Sequence, residues 1–202
     1  MLTRNPMRII AVVLFLITGL VSGQGLTSKG VIAGLNLANV SGEDTEDLDL
    51  TMKPGLAVGG YATFDFGLPV AIRPEVIYSQ KGFTWDFTLL GIDVESTSAV
   101  NYIDINALTV YTINDQIGIY AGPSFGLFAG GKITVTAGGE KETEGITSED
   151  MNGMDIALII GGSYNLGVVT VEARYSLGLK NAYDADDDMK NNVIQIIVGY
   201  GF

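Results

Sequence analysis

Apolar and polar side chains alternate with period two along eight segments of the chain, the spacing of β-strands that present one apolar face. The segments cover about 30–40, 55–64, 70–81, 101–111, 117–129, 155–164, 169–179 and a last stretch that reaches Phe202. In the first, Val31, Ala33, Leu35 and Leu37 share a face, with Gly30, Gly34, Asn36 and Ala38 opposite. The second gathers Leu56, Val58, Ala62 and Phe64 on one side. In the third, Val70, Ile72, Pro74, Val76 and Tyr78 oppose Arg73, Glu75, Ser79 and Lys81. The last segment places Ile194, Ile196, Val198, Tyr200 and Phe202 on its apolar face and Gln195, Ile197, Gly199 and Gly201 on the other.

The connections alternate between short and long. Residues 65–68, 113–116 and 165–167 are tight, whereas 41–54, 82–100, 130–154 and 180–191 are long. Antiparallel up-and-down strands sort such connections onto two ends, with all short turns at one and all long loops at the other. The long loops hold most of the acids, among them Glu43, Asp44, Glu46, Asp47, Asp49, Asp86, Asp93, Glu95, Glu140, Glu142, Glu144, Glu149, Asp150, Asp184, Asp186, Asp187 and Asp188. One rim is therefore predicted to be strongly negative.

Alternation alone does not say which face points inward. A soluble barrel buries its apolar face, and a membrane barrel turns it to lipid. Three features favour the membrane arrangement: the apolar terminal strand, the small residues on the opposite faces, and the charges there. Arg73, Glu75, Asp104, Asp155, Glu172 and Arg174 all fall on the minority face, where they are expected to form an internal charge network. A proton or ion relay is the functional alternative. Tyr61, Tyr120 and Phe128 on that face read as filler, while Tyr78, Tyr111, Tyr164, Tyr175, Tyr200 and Phe202 suit interfacial girdles. The predicted fold is all-β, an eight-stranded antiparallel up-and-down transmembrane β-barrel. Ile194, Ile196, Val198, Tyr200 and Phe202 further look like the assembly signal that outer-membrane barrels present to their insertion machinery.

Composition narrows the chemistry. Arg4 and Arg8 precede an apolar run from Ile9, and Val21-Ser22-Gly23 offers a cleavage site, so residues 1–23 read as a signal peptide and 24–202 as one barrel domain. An uncleaved anchor is disfavoured because the run is shorter than the ~20 apolar residues of a spanning helix. With 0 Cys and 0 His, thiolate chemistry and the commonest general base are missing. No enzyme activity and no cofactor are expected. A net charge of -12 disfavours nucleic acid. Asp184, Asp186 and Asp188 have a spacing that could offer oxygen ligands to calcium, but Met189 and Gln195 stand where an EF-hand needs Gly and an acid. Solvated loop acids are the simpler reading.

Five strings carry a resemblance: residues 30–42 (GVIAGLNLANVSG), 73–82 (RPEVIYSQKG), 101–105 (NYIDI), 120–126 (YAGPSFG) and 198–202 (VGYGF). They resemble the PorT-like family of outer-membrane β-barrel domains over nearly all of residues 24–202. One departure is Asn106, where relatives often carry Pro. The resemblance implies an eight-stranded barrel in the bacterial outer membrane and, from the family's founding member, a link to protein export. Expected partners are outer-membrane lipid and lipopolysaccharide, the barrel-assembly machinery during biogenesis and a secretion complex. Three functions compete: a non-enzymatic barrel with acidic extracellular loops in a structural or surface-binding role, a narrow solute or ion conduit or export accessory, and an outer-membrane hydrolase, which the missing His argues against.

Overall fold

The computed structural model describes residues 25–45, 50–89, 91–149, 151, 153–182 and 188–202. Among the described residues nine strands follow one another: β1 (Leu26–Ser41), β2 (Leu50–Asp65), β3 (Val70–Leu89), β4 (Ile92–Thr112), β5 (Ile117–Ala137), β6 (Glu140–Ile146), β7 (Met154–Asn165), β8 (Val169–Asn181) and β9 (Lys190–Gly201). All pairings are antiparallel, and eight strands close a ring in the order β1-β2-β3-β4-β5-β7-β8-β9. The seam joins β1 to β9, with Gly30 opposite Gly201 and Ser41 opposite Lys190. Closure leaves the ring without a free edge, the condition for backbone to cross hydrocarbon as strands.

The distribution of side chains is that of a membrane barrel. Val31, Leu35, Leu56, Val58, Ile160, Val171, Ile196 and Val198 are exposed on the outer wall, while Arg73, Glu75, Asp104, Asp155, Glu172 and Arg174 are buried in the lumen. Tyr111, Tyr164, Tyr200 and Phe202 are exposed near the turn end, and Tyr78 and Tyr175 farther up the wall. Phe64 departs from the expected pattern: it stands opposite exposed Ile72 in the register yet is itself buried, because it lies in a groove of the wall.

Three tight turns share one device. Asp65, Asn114 and Asn165 each turn a side-chain oxygen back onto a backbone N–H two residues on: Gly67 N–H donates to Asp65 Oδ1 at 2.7 Å, Gln116 N–H to Asn114 Oδ1 at 2.9 Å and Gly167 N–H to Asn165 Oδ1 at 2.8 Å. Such Asx turns satisfy backbone donors that a short reversal would leave unpaired.

At the other end the strands run on past the ring. Two connections expected as loops are largely strand: 82–100 is the outer part of the β3–β4 hairpin, and 130–154 holds the end of β5 together with β6. The continued segments, 83–89, 92–98, 131–137 and 140–146, form a protruding sheet in which β6 pairs with β5 alone. Where the wall gives way to this sheet the backbone is irregular. A one-residue register shift lies in the β4–β5 pairing at Asn101/Tyr102, and Gly82 (φ 125°) and Gly130 (φ 131°) adopt left-handed conformations there. Bulges and such glycines are the usual means by which a strand bends away from a barrel.

Asn114 accepts from both Gln116 and Ile117 N–H. Asn114→Ala is therefore expected to cost about 1–2 kcal/mol in urea unfolding of the lipid-reconstituted protein, and Asp115→Ala within about 0.5 kcal/mol of zero; equal effects would count against the turn's role.

Candidate functional site

The lumen is filled in layers. In the central one, β3 supplies Arg73 and Glu75, and β8, four strands away in either direction around the ring, supplies Glu172 and Arg174. Arg73 Nη2 donates to Glu172 Oε1 at 2.8 Å, and its Nε lies 3.0 Å from Glu75 Oε1, an ion pair without hydrogen-bond alignment. Arg174 Nη1 donates to Glu75 Oε2 at 2.7 Å and Nη2 to Glu172 Oε2 at 3.3 Å. Each arginine touches both glutamates, so the four groups form a closed cycle of alternating charge across the barrel's diameter. Asn106 Nδ2 donates to Glu75 Oε2 at 3.0 Å and the Tyr120 hydroxyl to Glu172 Oε2 at 2.8 Å. Tyr61 lies under the Arg73 guanidinium, 4.1 Å from its ring centroid. Tyr61 and Tyr120, expected as filler, thus hold the cycle in place.

A separate triad sits nearer the long-loop end. Lys81 Nζ donates to Asp104 Oδ1 at 3.0 Å and to Asp155 Oδ2 at 2.8 Å, and lies 4.9 Å from the Tyr102 ring centroid. The six charges expected to form one network therefore fall into two clusters, and the set omitted Lys81, a third base that is 2% exposed. The signal was available, since Lys81 shares strand parity with Arg73, Glu75 and Ser79. Uncharged contacts lie beside it: Asn36 Nδ2 donates to Ser79 Oγ at 3.0 Å, and Gln195 Nε2 donates to Asn36 Oδ1 at 2.8 Å.

Above the triad the mouth is stoppered. Ile146 and Met151, from the chain between β5 and β7, and Ala182, just after β8, pack on Val100 and Tyr102 with Phe128 against them. Below, Ile32, Ala57, Ile77 and Ile197 cluster with Tyr61, and Leu108, Tyr120 and Ile159 form a third apolar group. Neither charge cluster faces open solvent: Glu75 and Glu172 are each 1% exposed.

Of the calcium candidates, Asp184 and Asp186 lie outside the described residues, as does the expected signal peptide. Asp188 accepts a hydrogen bond from Lys190 Nζ and one from Glu43 N–H at 3.4 Å. The Lys190 ammonium holds its carboxyl below the usual carboxylate range. No group of acids among the described residues is arranged to hold a metal ion. Ile194, Ile196, Val198, Tyr200 and Phe202 are exposed along the outer face of β9 at the seam.

The protruding sheet is two-faced. By register, Phe83, Trp85, Phe87, Val94, Ile133 and Val135 share one face with Glu140, Glu142 and Glu144 at its β6 edge. Trp85 and Phe87 stack at 4.6 Å. The opposite face carries threonine pairs, Thr84 with Thr97 and Thr134 with Thr143, each at 3.2 Å.

A closed antiparallel ring with an apolar outside, a charged and packed inside, tight turns at one end and an extended sheet at the other defines a transmembrane β-barrel of the outer-membrane type. Residues 27–184 match the family described as "Outer membrane protein beta-barrel domain", and the chain belongs to that family, whose members reside in the bacterial outer membrane. Two solved structures are similar in fold. Neisserial surface protein A (NspA) is 14% identical with a TM-score of 0.52, covering 89% of this chain and 100% of that one. Ail, the attachment invasion locus protein of Yersinia pestis, in complex with the heparin analogue sucrose octasulfate, is 19% identical with a TM-score of 0.50, covering 87% and 98%. No curated protein sequence matches the chain.

Removing one member of the cycle leaves a buried carboxylate short of its counter-charge. Arg174→Met is expected to destabilise the barrel by about 3–5 kcal/mol. Pairing it with Glu75→Gln restores part of that loss. Urea titration in lipid vesicles measures both, and an Arg174→Met effect below about 1 kcal/mol, the scale of an exposed pair, would contradict the cycle's structural weight.

Proposed function

We propose that this protein is a non-enzymatic, non-conducting barrel that displays a partner-binding sheet at the cell surface. The observation that carries the reading is the combination of a stoppered, charge-paired lumen with a sheet continuing beyond it. A filled lumen supports anchoring over transport. The aromatic face of the sheet, edged by Glu140, Glu142 and Glu144, suits a partner segment that is both cationic and apolar. Ail is named in complex with a polysulfate; the glutamate edge here has the sign to repel such a ligand, so a likeness of fold brings no shared ligand with it.

Other features belong to the same reading. Residues 1–23 act as an export signal, the exposed face of β9 serves recognition by the assembly machinery, and the acidic rim meets lipopolysaccharide through bridging cations. The PorT-like strings support a second role, as an accessory to protein export, which deletion of the gene followed by assay of secreted proteins would distinguish from surface binding.

Two measurements test the proposal. In planar bilayers the reconstituted barrel should give no stepwise conductance; steady single-channel steps abolished by Arg73→Gln would favour the conduit instead. In nanodiscs, calorimetric titration with a cationic amphipathic peptide should show binding that weakens with salt and falls about tenfold on replacing Glu140, Glu142 and Glu144 together by Gln, roughly 0.5 kcal/mol for each of three exposed charges. Unchanged affinity would remove the sheet edge from the account.

A further inference from the structure

A groove of about 330 Å³ is cut into the outer wall at the turn end, at the lower limit of ligand-sized clefts, roughly 300–1,000 Å³. Its outward residues, by strand parity, are Lys29 of β1, Gly60, Ala62 and Phe64 of β2, and Pro74 and Val76 of β3, with Phe202 beside them. On β3 the flanking Ile72 and Tyr78 stand exposed, and on β2 so does Val58, so the small residues between them form a true depression.

The backbone crowds Gly60 far less than its neighbour Gly59. A Cβ at neighbouring Gly59 would fall 2.1 Å from Val76 O, whereas a Cβ at Gly60 meets only Gly30 O at 3.3 Å. What glycine leaves empty at position 60 is the groove itself. An apolar depression in hydrocarbon is filled by hydrocarbon, because water there would find too few polar partners and a void would forfeit contacts. The turn end is the periplasmic end of an outer-membrane barrel. Its tight turns carry exposed Phe66, Leu68, Ile113, Leu166 and Val168, which sets this end among lipid.

At the mouth of the groove stands Lys29, exposed, with its ammonium 5.4 Å from the Phe202 ring centroid and no carboxylate paired to it among the described residues. We propose that the groove seats one acyl chain of a phospholipid from the periplasmic leaflet, with the phosphate held by Lys29. The apolar walls select a chain, and the single cation selects the phosphate end of it. This seat lies at the opposite end from the protruding sheet and stands or falls independently of it.

The test uses the barrel in nanodiscs containing a phospholipid with a nitroxide on its acyl chain, reading paramagnetic broadening at methyl groups. Ala62 and Val76 should broaden more than Val171 and Leu177 on the far wall. Gly60→Leu should abolish that excess, with Ala62→Leu as the second variant should the first misfold, and heat-modifiable migration confirming the fold. Lys29→Gln should reduce the excess about two- to fivefold, the weight of one exposed ion pair. Equal broadening on both walls, or an excess that survives both groove-filling variants, would overturn the seat; an excess unchanged in Lys29→Gln would overturn the phosphate assignment.

Discussion

Everything else in this barrel depends on the mutual neutralisation of charges across its lumen. Glu75 and Glu172 each rest between Arg73 and Arg174, and these four side chains come from strands on opposite sides of the ring. Burying any one alone would be prohibitive, so the charges are tolerable only when the ring is closed and the register correct. A one-residue slip of β3 or β8 would turn arginine and glutamate toward lipid. The cycle thus acts as a check on assembly as much as a source of stability, while the outer wall supplies the apolar surface that lipid accepts.

Much of this was legible in the chain. Alternation marked the eight ring strands, and the three tight turns were visible as the short connections 65–68, 113–116 and 165–167. The apolar-out arrangement followed from which residues accompanied the charges. Less legible were features set by register between distant strands. That Arg73 meets Glu172 while Lys81 meets Asp155 follows only once the strands are staggered, and parity alone merges the two clusters. The protruding sheet was hidden for a different reason. Only β6 is polar throughout, in the run from Glu140 to Gly145, where hydrophobic periodicity is silent; Phe83, Trp85 and Phe87, like Ile133 and Val135, alternate with polar residues, and their period-two signal lies inside the segments expected as loops. Parity places Phe64 on the apolar face with Leu56 and Val58, whereas the groove that buries it is made by three strands together.

The two ends of the molecule are built for different surroundings. At the turn end, side-chain oxygens close short reversals whose tips are apolar. At the opposite end, a bulge and left-handed glycines release the strands into a sheet with an acidic edge. The stopper of Ile146, Met151 and Ala182 lies between these regimes, drawing residues from the outer connections into the mouth. Loop and lumen are therefore mechanically joined: a change in the outer connections is felt first at Tyr102, whose ring also faces Lys81.

The chain's single tryptophan, Trp85, belongs to the outer part of the β3–β4 hairpin, beyond the lipid-embedded wall and stacked on Phe87. The tryptophan emission of this barrel is consequently a signal from the protruding sheet alone. In the folded barrel it reports on the order of that hairpin and its aromatic pair, and carries no signal from the charge cycle in the lumen.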